Sequence, residues 1–163
     1  MIIGGIHYKG TGEWDHSFVS QLAKSFRNSY ELINTKFDEI TNKEGPKALD
    51  EDLLLTIAAN TNLALSCELI LKALVLKYKN KNAKGHSLCE LLEELDIPMQ
   101  KTIEQDVISS WTDEKNPLYD FQKKLSENSL AFAKIRYVYE GNIYYDFTFL
   151  RIFNDVLFSL YEK

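Results

Sequence analysis

The chain has 163 residues, enough for one domain with a core that needs no staples. Its 45% hydrophobic and 26% charged residues are ordinary for a soluble globular protein. A net charge of −5 excludes a polyanion binder that works through overall charge, so any nucleic-acid contact needs a local basic patch. Only 7 Gly and 3 Pro punctuate the chain, which favours long helices over many short strands.

Residues 1–13 read as an irregular or briefly extended arm, and residues 14–163 as a single helical domain. Met1 to His7 lacks a basic region followed by an apolar run, so no signal peptide is expected. No apolar stretch is read as long enough to span a bilayer, and a cytoplasmic location without membrane contact is the expectation. A first helix is predicted from Trp14 to Ile40, with Phe18, Leu22, Phe26, Leu32, Ile33, Phe37 and Ile40 near helical spacing. Thr41 to Pro46 is a loop by composition. Asp50, Glu51 and Asp52 open a second helix that runs to Tyr78, where negative charge suits the helix dipole. It is apolar around most of its circumference, as a central buried helix must be.

Ser87 and Glu90 have capping-box spacing, which starts a third helix that ends near Leu95. Pro98 suits the first position of a further helix ending near Trp111. Asn116-Pro117 repeats that signal and predicts a helix reaching Glu140, stopped by Gly141. A last helix is predicted from Asp146 to Tyr161, burying Phe149, Ile152, Phe153, Val156, Leu157 and Leu160; Ile143–Phe149 also admits a short strand. Long helices on modest loops pack as antiparallel neighbours, so the fold class is all-α: an up-and-down four-helix bundle with one or two short extra helices.

Four groups of residues are candidates for chemistry. On the second helix Thr61, Glu68, Lys72 and Lys79 fall within about 40° of one another, and Glu68 and Lys72 have the order of an intrahelical ion pair. This seam is either the solvated face of a buried helix or the floor of a cleft or dimer contact. Lys72, Lys77, Lys79, Lys81 and Lys84 follow without an intervening acid; they suit a helix C-terminus, or a phosphate. His86 either closes this corner or acts as an acid or base near neutral pH. Arg136, Tyr137, Tyr139 and Glu140 join a cation to ring faces, which suits an interhelix bridge to Glu68 or an anion and base-stacking site.

Other patterns carry less. His86 and Cys89 have ligand spacing on a helix, but two ligands make no zinc site, and no metal or cofactor is expected. Cys67 and Cys89 read as reduced thiols, a disulfide being unnecessary at this size. Gly5 to Thr11 has P-loop glycine spacing without the Lys after the second Gly. Asp15, His16 and Ser17 are neighbours on one helix and cannot converge as a triad.

Glu68-Leu-Ile-Leu-Lys72, then Gly85-His86-Ser87-Leu88 with Leu91 and Leu92, then Arg136-Tyr137-Val138-Tyr139-Glu140, in that order, resemble the HEPN superfamily of prokaryotic all-α domains. The resemblance covers roughly residues 14–160, and its motifs are short. It implies a homodimeric bundle that works as a ribonuclease in toxin–antitoxin or defence systems, or as a nucleotide- or RNA-binding partner of a nucleotidyltransferase-type protein. Active members carry an Arg and a His on a late helix. Arg136 occupies the Arg position, whereas Glu140, Gly141 and Asn142 stand where the His belongs. The reading is therefore a binding domain without ribonuclease activity, with Arg136, Tyr137, Glu140, Lys72, Glu68 and His86 around the ligand. The alternatives are a divergent metal-independent ribonuclease using Arg136 and His86, and a helical interaction module with no small-molecule site.

Overall fold

A computed structural model describes residues 15–44, 50–112, 120–135 and 145–163. Seven helices and no strand occur among them: α1 (His16–Glu44), α2 (Asp50–Lys79), α3 (Leu88–Glu93), α4 (Ile97–Ser110), α5 (Phe121–Asn128), α6 (Ala131–Ile135) and α7 (Phe147–Glu162). The all-α expectation holds. The N-terminal arm, the Asn116-Pro117 start and residues 136–144 lie outside the described residues. Of the strand alternative at Ile143–Phe149, residues 147–149 are helical instead, the first turn of α7.

α2 is the axis of the molecule, touched by α1, α3, α6 and α7. Leu63, Ala64, Cys67, Ile70, Leu71, Leu74 and Val75 are all buried, which accounts for its apolar circumference. It is also the one helix among the described residues long and apolar enough to cross a membrane, over Leu54–Lys79. That corrects the expectation that no stretch reaches this length. A core helix wrapped on several sides meets the same measure.

α1 corrects a second expectation. Phe18, Leu22 and Leu32 are exposed, Leu32 by 73%, while Val19 and Ala23 are buried and Phe26, Tyr30, Ile33, Phe37 and Ile40 continue the face half-buried. The contact is made by small residues: Ser66 Oγ on α2 donates to the Ala23 carbonyl at 2.9 Å, and a larger side chain at residue 23 would hold the backbones apart. Asp15 begins the helix by accepting Ser17 N at 2.9 Å. His16 turns to the Tyr161 hydroxyl at 2.8 Å, so these neighbours cap and brace a helix.

The helix expected from Pro117 to Glu140 is broken at Ser129 and Leu130. Ser129 explains the break. Its carbonyl accepts Leu88 N at 2.8 Å, and its Oγ accepts Cys89 N at 3.1 Å and meets Ser87 Oγ at 2.9 Å. Ser87 Oγ accepts Glu90 N at 3.2 Å, as the capping signal predicted. The first N–H groups of α3 are thus filled from the turn between α5 and α6, and a carbonyl aimed at α3 is turned out of its own helical ladder. Asn128, fully buried, donates to the Lys124 carbonyl and accepts Asp146 N at 2.9 Å, while Asp146 caps Phe149 N and pairs with Lys124 at 2.8 Å. This network joins the end of α5 to the start of α7.

Both cysteines are free thiols. Burial pushes Cys67 from 9.0 to about 12, although the Asn154 amide donating to its sulfur favours the thiolate. Cys67 is therefore a protonated thiol that resists alkylation in the folded protein. Native protein treated with a maleimide at neutral pH takes one label, on half-buried Cys89, and two after unfolding. Because the folded protein keeps the Cys67 proton longer than the unfolded chain does, this stabilisation is complete below pH 9 and lost as pH rises toward 12. The alkaline fall in Tm is shallower in Cys67→Ala.

Candidate functional site

The polar seam of α2 is not solvated at its centre. Glu68 is 2% exposed, among the buried and mostly apolar side chains in the middle of α2. A carboxylate there keeps its charge only if partners replace water. Lys72, one turn on, donates to Glu68 Oε1 at 2.7 Å. His86 Nδ1 lies 3.0 Å from both Glu68 oxygens. An ionised carboxylate only accepts, so His86 donates from Nδ1 and turns Nε2 away. The His86 side chain is 54% exposed and Lys72 21%, so Glu68 anchors two groups that reach the surface.

Local sequence explains how His86 arrives there. Asn80 ends α2 in the left-handed region, at φ 50°, where Asn is among the better-tolerated residues. Gly85 takes φ +87°; a Cβ there meets only Glu90 Oε2, at an ordinary 3.6 Å, so the backbone angle rather than space favours glycine. This second turn aims His86 back at α2 while Ser87 starts α3. The Phe132 ring on α6 lies 6.2 Å from the His86 ring and supplies an apolar wall.

Beside the cluster lies a pocket of about 280 Å³, lined by Val19, Leu69, Lys72, Leu76, Asn82, Ala83 and Lys84. Lys72 belongs to both the pocket and the Glu68 cluster. The other lysines of the basic corner are mostly committed. Lys77 donates to the Tyr161 carbonyl at 2.6 Å and sits over that ring, Lys79 is 3.7 Å from Asp96, and Lys81 pairs with Glu94. Lys84 alone of the five has no ion-pair or hydrogen-bond partner among the described residues. The basic corner is thus partly a set of structural clasps, with Lys72 and Lys84 left at the pocket.

Of the residues expected around a ligand, Glu68, Lys72 and His86 come together. Arg136, Tyr137, Tyr139 and Glu140 lie outside the described residues, and so does the expected Glu68–Arg136 bridge. Thr61 and Lys79 are apart from the cluster: Thr61 bonds its own helix at the Ile57 carbonyl, and Lys79 turns to Asp96. Sequence reasoning missed Phe132 and Asn82. Phe132 stands four residues before Arg136, a helical spacing that could have flagged it; Asn82 gives no such signal.

No protein-family model, curated protein or solved structure matches this chain.

Proposed function

We propose that the chain is a HEPN-like homodimeric domain that binds a nucleotide or an RNA segment through phosphate, where α2, the turn to α3 and α6 meet. The observation that carries this reading is the buried Glu68 carboxylate, which holds His86 and also fixes Lys72 at the wall of a pocket that presents Lys84. A buried ion pair is a costly way to hold a surface lysine and histidine if their positions serve nothing. Leu69, Leu76 and Ala83 offer apolar contact to a base or sugar, with Phe132 beside His86, and the ammonium groups offer charge to phosphate. In this reading Arg136 and Tyr137 add a further cation and a stacking ring, Glu140 shapes the rim, and a second copy completes the site. α1, α2, the α5–α6 pair and α7 are the four bundle helices, with α3 and α4 as insertions. A nucleotidyltransferase-type partner in a toxin–antitoxin or defence setting belongs to the same proposal.

The test is the melting temperature with AMP, ATP and a short mixed-sequence RNA. Ligand that binds only the folded form at about 100 times its Kd adds about 2.7 kcal/mol, a readable rise. The rise is expected with wild type and lost in Lys84→Met and Arg136→Ala. No rise with any of these ligands counts against the reading.

One contact favours a second reading, metal-independent RNA cleavage by His86 and Arg136. Glu68 holds the His86 proton on Nδ1, which leaves Nε2 outward as the atom that takes a proton. Cleavage of labelled RNA without added metal, abolished in both His86→Ala and Arg136→Ala, supports it. Cleavage that survives either substitution, or none by folded protein, removes it.

A further inference from the structure

The Glu68 corner holds its charges in an arrangement that a phosphate site alone does not need. One buried carboxylate has two nitrogen partners, and only one of them is a cation at every ordinary pH. Lys72 Nζ donates to Glu68 Oε1 at 2.7 Å, whereas His86 Nδ1 lies 3.0 Å from both carboxylate oxygens. Lys72 also lines the pocket beside Lys84, so the carboxylate and a bound anion draw on the same ammonium.

The charge left for an anion depends on His86. With a neutral imidazole, Glu68 cancels Lys72, and Lys84 alone of the residues lining the pocket keeps an unbalanced charge. With an imidazolium, His86 balances Glu68 through its Nδ1 proton, and the Lys72 charge acts on the pocket instead. The carboxylate is 2% exposed, so water screens little of this exchange. Histidine is the side chain whose charge changes near neutral pH, and His86, with its side chain 54% exposed, takes that proton from solvent.

The other ionisable groups around His86 do not share its position. Lys84 precedes it in the turn and is exposed; on α3, Cys89 is a half-buried thiol and Glu90 is exposed, its carboxylate beside Gly85. α6 brings the Phe132 ring, with Lys134 exposed two residues further on. Exposed charges of this kind are screened by water and act weakly. Among the described residues it is the His86 proton that reaches Lys72 through the buried carboxylate.

We infer that anion binding in the Lys72–Lys84 pocket is coupled to protonation of His86, each favouring the other through Glu68. The inference rests on the phosphate reading of that pocket and adds its regulation. A bound phosphate favours the imidazolium, and the imidazolium in turn leaves Lys72 to the phosphate. Affinity is therefore highest on the acid side of the His86 titration and falls to a plateau as pH rises and the proton leaves.

The test follows the His86 ring by NMR from about pH 5 to about pH 8, in the free protein and at saturating AMP, ATP or a short mixed-sequence RNA. The His86 signal is identified by its loss in His86→Asn, whose amide keeps a donor near the place of Nδ1 without titrating. Ligand is expected to raise the His86 titration midpoint by about one pH unit, which is a tenfold preference for the imidazolium. A midpoint left unmoved or lowered, while other signals report binding, overturns the coupling and leaves the phosphate reading standing. If none of the three ligands perturbs the spectrum at either end of the range, the phosphate reading falls and the coupling with it.

Discussion

Phe153→Ala lowers the free energy of unfolding by about 3–5 kcal/mol, the range for truncating a fully buried aromatic. Phe153 has no exposed surface and stacks on Phe149 at 5.7 Å between centroids and 11° between planes. Phe121, brought in by α5, lies 6.3 Å from Phe153 and 5.8 Å from Phe149. The three rings join α5 to α7, so a cavity at Phe153 cannot be closed by one side chain changing rotamer. Urea unfolding gives the value, and the midpoint moves without a change of slope if the folded and unfolded states are otherwise kept. Leu32→Ala is the control: with Leu32 73% exposed, it stays within about 0.5 kcal/mol of wild type. A loss below about 1.5 kcal/mol at Phe153 would mean that this layer is loosely packed.

The last helix was legible because its signals agree. Asp146 caps Phe149 N, and every apolar position named from spacing is buried. α2 was legible for the same reason. α1 misled because spacing was counted with large residues, whereas the close contact is made by Val19 and Ala23. The break at Ser129 was invisible because its cause is long-range: hydrogen bonds to Leu88 and Cys89, some forty positions away. The candidate site was half legible. Glu68 and Lys72 are four apart and announce a pair, but nothing local says that the carboxylate is buried or that Gly85 turns His86 onto it.

Lys72→Met should cost about 2–3 kcal/mol, and Glu68→Leu in the same chain should restore most of it. Removing Lys72 leaves a carboxylate 2% exposed with His86 as its remaining partner. Breaking a fully buried pair costs about 3–5 kcal/mol; the figure here is lower because Lys72 is 21% exposed and His86 still donates. Replacing both partners with apolar side chains removes the desolvation penalty along with the attraction, so the double variant should lie within about 1 kcal/mol of wild type. Urea unfolding of wild type, the two single variants and the double variant gives the coupling directly. If Lys72→Met costs less than about 0.5 kcal/mol, the pair is not what keeps Glu68 in the interior. The double variant also separates structure from function. It is folded, yet has lost one cation and the anchor of His86, so the Tm rise with nucleotide or RNA should vanish. A full rise in that protein would reduce Glu68 and Lys72 to a structural ion pair and move the ligand, if there is one, away from this corner.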